Sequence, residues 1–174
     1  MQIRSSRSDE RELIHALHKN TFDPSEADTV AQLAVDLIND PSAQPLLSLV
    51  AEQKDIVVGH VIFSAVKIEG NANLSVAILA PLAVSPDCQK QGIGTQLIRV
   101  GLEELKSRSV DIVLVYGDPS YYGRTGFHVD HSIAAPYDLQ YPTGWQALAF
   151  KPGVLSSAEG VANCADALMV KELW

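Results

Sequence analysis

Gln89-Lys90-Gln91-Gly92-Ile93-Gly94 brings together two side-chain amides, one ammonium and two glycines one residue apart. The hexapeptide follows an apolar run ending Leu82-Ala83-Val84 and opens an amphipathic one that continues to Leu105. A loop of this kind at a helix start is an anion site. The first backbone N–H groups of a helix have no helical acceptor, and they sit at the positive end of its dipole. Glycine lacks the Cβ that would hold a phosphate away from those amides. Two common nucleotide motifs do not fit. A P-loop needs a lysine followed by Ser or Thr after its last glycine, but Thr95 follows Gly94 directly. A dinucleotide fingerprint needs a third glycine where this chain has Leu97.

A second group of reactive types, Tyr121-Tyr122-Gly123-Arg124-Thr125-Gly126-Phe127, lies one helix and one strand further on. Q-x-x-G-x-G after a strand ending L-A-V resembles the acyl-CoA pyrophosphate loop of the GNAT N-acetyltransferases. The tyrosine group resembles the same family's F-Y-x-K-x-G-F signature. Many members carry an Asn and an Ala before that signature. Here Gly117-Asp118-Pro119 stands instead, which is similar to a bacterial branch labelled YhbS-like. The likeness spans roughly residues 45–130. Pro81, inside the apolar run Leu74–Val84, marks an edge or a bulge, and in the resembling family that bulge frees amides for the pantetheine arm.

The resemblance implies an acetyl-CoA-dependent N-acetyltransferase that moves an acetyl group to a primary amine by direct transfer in a ternary complex. The acceptor would be a small molecule, peptide or protein. The backbone N–H of Leu82 or Ala83 would hold the thioester carbonyl, and Val84 would pair with the pantetheine. Gln89, Lys90, Gly92, Gly94 and Thr95, with Gln91 and Ile93 between them, would hold the pyrophosphate. Tyr122 matches the tyrosine that protonates the departing thiolate; Tyr121 is expected to pack and Arg124 to cover the helix surface. No metal is implied.

Acyl transfer to an amine also needs a base, because an alkyl ammonium has a pKa near ~10.4. Family members often place a Glu on the strand before the bulge, but Leu74–Val84 holds no titratable side chain. His60, on the preceding strand, is the nearest candidate, and Glu52, Glu69, His128 and His131 are further ones. A chain of water molecules is the alternative to all of them. Two other function classes fit the same loop: a non-catalytic acyl-CoA-binding or sensing module, and an acyltransferase using a longer acyl-CoA or an acyl carrier protein.

The elements that must position these residues follow from patterning. Gln2–Ser5 reads as a short strand. Ser8 is expected to cap a first helix, and Asp23-Pro24 to start a second that Asn39-Asp40-Pro41 stops. Leu46–Glu52, Ile56–Lys67 and Leu74–Val84 read as three strands joined by short turns, an antiparallel meander. Ile93, Leu97, Ile98, Val100, Leu102 and Leu105 form the apolar face of the next helix. Asp111–Tyr116 is a near-continuous apolar strand, as a strand buried on both faces should be. Strand, helix, strand there makes a parallel crossover. Phe127–Asp130 and Gln146–Lys151 are the expected closing strands. The fold class is therefore α/β with a mixed (α+β) sheet, GNAT-like: a meander, then a parallel βαβ crossover beside a bulged central strand.

Residues 1–174 fit one domain with a sizeable core. A net charge of -8 argues against a nucleic-acid partner and tolerates a cationic amine. No apolar run reaches membrane-span length, and the start MQIRSSRSDE has no signal-peptide core. With only Cys88 and Cys164, a disulfide framework is not expected and a cytoplasmic location is. A monomer or a homodimer is equally compatible.

Overall fold

The structure is a computed structural model describing residues 1–174. Its elements are β1 (Gln2–Ser5), α1 (Arg11–Thr21), α2 (Ala27–Asn39), β2 (Leu47–Gln53), β3 (Ile56–Ile68), β4 (Val76–Val84) and α3 (Ile93–Ser107). There follow β5 (Ile112–Tyr116), α4 (Pro119–Tyr122), β6 (Ser132–Ala134), β7 (Trp145–Ala149), α5 (Val154–Ser157) and β8 (Glu159–Asn163). The first four strands form the antiparallel meander. Lys54 and Asp55 close the β2–β3 hairpin with φ of 51° and 63°, the paired positive values that match the strand twist. After α3 the chain returns parallel, β5 alongside β4. The order is β1-β2-β3-β4-β5-β7 in an eight-stranded mixed sheet, with β8 pairing both the end of β3 and β6. No helix is long and apolar enough to cross a membrane.

The sheet is covered on both faces. Ile14, Leu37, Ile62, Ile78 and Leu114 pack on the side of α1 and α2. Phe63, Leu79, Leu97, Ile98 and Val113 pack on the side of α3. Alternate residues of β5 enter the two cores, which is why its sequence is apolar throughout. The register of β3 against β4 moves from Val61↔Leu82 to Phe63↔Leu79. Two steps on β3 thus face three on β4, placing the extra residue beside Ala80-Pro81. This is the bulge that Pro81 signals.

Several expectations are corrected. Ser8 lies in a turn and caps nothing; α1 starts at Arg11. Glu10 holds that corner instead, accepting from the Arg7 N–H at 2.7 Å and from the Arg4 guanidinium at 2.6 Å, while Arg4 also reaches Glu52 at 2.6 Å. The Asp23 carbonyl accepts from Glu26 and Ala27, but regular helix begins only at Ala27. Val100 is exposed, and Gly101 takes its place on the buried face of α3. Of the two expected closing strands, Gln146–Lys151 stands as β7 against β5, while Phe127–Asp130 makes a single bridge, His128↔Ala147, and the next strand, β6, pairs β8 instead.

One polar chain crosses this apolar interior. The Oγ atoms of Ser6 and Ser48 lie 2.6 Å apart, Ser48 Oγ is 2.8 Å from His60 Nε2, and His60 Nδ1 is 2.8 Å from His18 Nε2. Both rings are fully buried. Burial, and then the charge of a neighbouring histidine, lowers both imidazoles: His18 to about 4, with His15 as the neighbour, and His60 well below its ordinary range.

Two stability predictions follow from these contacts. A Cβ at Gly101 would overlap the ring of Phe63. Helix propensity alone would make Gly101→Ala stabilising by roughly 1 kcal/mol, whereas overpacking should win with a net loss of about 1–3 kcal/mol in urea unfolding. The histidine pair sets a pH response. Below pH ~6.5 an unfolded chain protonates these rings and the folded chain does not, so their contribution is complete above that pH. It should fall away as pH drops from about 6.5 towards 4, by about 3 kcal/mol for His18 alone. Urea unfolding at successive pH values in that window checks it; a flat response contradicts the buried neutral pair.

Candidate active site

Parallel pairing of β4 with β5 ends at Leu79↔Val115. Beyond that point β4 has no strand partner on the β5 side. The Ser85 N–H donates to the Val58 carbonyl at 2.8 Å while Gly59 lies opposite Val84. That fixes the antiparallel alternation: Ala83 exchanges bonds with His60, and Leu82 and Val84 turn their N–H and C=O groups away from β3. Of the two amides expected for a thioester carbonyl, Leu82 therefore faces the opening. Ala83 is buried and turned into the sheet, so it drops out. The Val84 carbonyl already accepts from Gln89 Nε2 at 3.0 Å and Thr21 Oγ1 at 3.3 Å.

The glycine loop lies against this edge. Gly92 precedes α3 with φ of 81°, a backbone that disfavours side chains, and a Cβ there would meet no protein atom within 4 Å. The first helical bond runs from the Gln96 N–H to the Gly92 carbonyl at 3.0 Å, so the amides of Ile93, Gly94 and Thr95 precede the ladder. Val84, Gln89, Lys90, Gly92, Ile93 and Gly94 line a chamber of about 560 Å³ with Thr95 and Leu82. Gln91 does not; it is exposed and donates to the Asp87 carbonyl at 3.4 Å. Arg124, expected on the helix surface, lines the chamber with Lys90 and gives it a second cation. Its place in the Y-Y-x-R-x-G-F group was the available signal.

Gly117-Asp118-Pro119 builds the tyrosine turn. Asp118 caps α4 by accepting from the Ser120 N–H and hydroxyl, both at 2.8 Å, and Pro119 takes the first helical position. A Cβ on Gly117 would overlap the Tyr122 ring, so this glycine seats the tyrosine. Tyr122 stands edge-on to Phe127, centroids 6.0 Å apart. Burial first, then Tyr121 and Asp118, pushes its phenol far above the ordinary range, so it holds its proton at neutral pH. The Tyr121 hydroxyl packs on Gly94, which ties the tyrosine turn to the start of α3.

A second chamber, about 770 Å³, opens on the other side of Tyr122. Phe22, Leu82, Tyr121 and Tyr122 line both, so the two form one cleft that meets at Leu82 and Tyr122. Phe22, at the end of α1, and the segment Leu168 to Trp174 are walls that the sequence reading missed. Trp174 is fixed by its indole N–H donating to the Leu168 carbonyl at 2.8 Å and by stacking on Tyr116. The tail is irregular in period, so nothing in its pattern points to the cleft.

His60 lines neither chamber. Both its nitrogens are engaged, in the buried chain with Ser48 and His18, and its ring is held neutral, so it is a packing residue rather than a base facing the cleft. Glu52 pairs with Arg4. Glu69 lines neither chamber, and His128 and His131 line a separate surface depression.

The description "Acetyltransferase (GNAT) domain" matches residues 2–129. Among curated proteins, the chain is 38% identical over 144 residues to the uncharacterized N-acetyltransferase YjhQ of Escherichia coli K12, covering 78% of each. It is 37% identical over 128 residues to the uncharacterized N-acetyltransferase YhbS of the same strain, covering 73% of this chain and 71% of that one. Among solved structures, Escherichia coli YhbS in complex with CoA superposes with a TM-score of 0.87 at 29% identity, over 96% of this chain and 91% of that one. A GNAT acetyltransferase from Brucella melitensis in complex with acetyl-CoA gives 0.77 at 30% identity, over 96% and 97%. With this match over most of its length, the chain belongs to the GNAT acetyltransferase family.

Proposed function

We propose that this protein transfers the acetyl group of acetyl-CoA to a primary amine, directly and within a ternary complex. The observation that carries the reading is the junction of the two chambers. The Leu82 N–H, turned away from β3, and the protonated Tyr122 phenol lie where a donor held on the glycine loop would meet an acceptor from the other side. CoA-bound relatives with the same fold support the choice of donor.

The residues divide the chemistry between them. The amides at the start of α3, with Lys90 and Arg124, hold the diphosphate. The Leu82 N–H donates to the thioester oxygen as it gains negative charge. The amine nitrogen bonds to the carbonyl carbon, the carbon–sulfur bond breaks, and Tyr122 gives its proton to the departing thiolate. The ammonium first loses one proton through water to solvent, and after attack the second proton on nitrogen returns through water to restore Tyr122. Water is the better base here. His60 is buried and lines neither chamber, and a chain of water from the open cleft can carry the proton to solvent.

Two substitutions should fail in opposite ways. Gly92→Val places a β-branched side chain where the diphosphate approaches and should abolish CoA binding in calorimetry, with circular dichroism unchanged. Tyr122→Phe should leave CoA affinity nearly intact and lower turnover by ~10²–10⁴ in a free-thiol assay. Unchanged CoA affinity in a folded Gly92→Val protein removes the loop assignment. Full turnover in Tyr122→Phe, with chemistry rate-limiting, returns Tyr122 to packing.

A further inference from the structure

The cleft is divided by charge. Its donor chamber carries Lys90 and Arg124 and no carboxylate. The second chamber carries Glu26, Asp118 and Glu172, all exposed, and no Lys, Arg or His. Its walls are otherwise largely apolar, 13 of 20 lining residues, with the rings of Phe22, Tyr116 and Trp174 among them. At about 770 Å³ it has the size of a small-molecule site rather than of a flat docking face.

Resting on the acetyl-transfer reading above, we infer that the acceptor is a small amine with an aromatic or alkyl body and no acidic group. Its ammonium is drawn in by three carboxylates and by ring faces, both of which favour a cation. Its body takes the apolar walls. A carboxylate or phosphate on the same molecule would enter a chamber with no counter-charge and lose its hydration there. Ordinary amino acids and phosphorylated amines are therefore excluded. A long acyl tail on the donor would also fit apolar walls, but it gives Glu26 and Glu172 nothing to pair with. Part of this wall, Leu168 to Trp174, lies outside the stretch 2–129 that matches the family description.

The test is a matched series on one ring: phenethylamine, phenylalanine amide and phenylalanine, assayed for thiol release from saturating acetyl-CoA. The first two should exceed phenylalanine in kcat/KM by at least about tenfold, and added salt should weaken that advantage. In the Glu26→Gln, Glu172→Gln double variant, changed only at exposed positions, KM for phenethylamine should rise while CoA affinity in calorimetry stays put. Phenylalanine used as well as phenethylamine, no turnover of any of the three with CoA bound, or turnover confined to peptide lysines overturns the inference and leaves the donor site standing. So does a preference for octanoyl-CoA over acetyl-CoA that the double variant does not alter, which would make the chamber an acyl-chain site. Failure to bind CoA at all overturns the acetyl-transfer reading and this inference with it.

Discussion

Backbone groups inside a protein must be paired, and the sheet edge beyond Leu79 is where this chain leaves them for something else to pair. The extra residue beside Pro81 turns β4 so that its pairing with β5 stops at Leu79 while its pairing with β3 continues to Val84. One side of the strand stays anchored and the other becomes a row of donors and acceptors. Everything else in the cleft is placed against that row. The glycine loop lines one chamber, the C-terminal segment the other, and the tyrosine turn with Phe22 lines both.

Close approach, rather than special side chains, sets the positions of the site. Gly101 lets α3 settle on Phe63, Gly94 lets the Tyr121 hydroxyl reach the start of the same helix, and Gly117 makes room for the Tyr122 ring. Each removes a Cβ where two elements meet. The placement of Tyr122 against Leu82 is thus carried by the same contacts as the core on the α3 side, and loosening them would move one relative to the other.

What could be read from the sequence was what short-range pattern encodes. The meander, the crossover, the loop at Gly92 and the turn at Tyr122 are all written as runs, breaks and motifs within a few residues. Tertiary choices were not. Which of Leu82 and Ala83 faces the cleft depends on the hydrogen-bond phase of β3 against β4, and the Ser85–Val58 bond sets that phase. His60 looked available because its burial partner, His18, lies 42 residues away on α1. Arg124 and Phe22 enter the cleft only through packing between distant elements. The second chamber's far wall was unreadable because Leu168 to Trp174 has neither strand nor helix period.

The bond from Gln89 to the Val84 carbonyl bears on how the donor arrives. Without a partner, a loop with positive φ at Lys90 and Gly92 would sample many shapes, and binding would have to freeze it. The Gln89 amide tethers the loop to the end of β4 beforehand, and Thr21 on α1 grips the same oxygen. Much of the ordering cost is therefore met during folding. The loop is thus a preorganised cradle, and any group that takes the Val84 carbonyl must do so by exchange with a side chain already there.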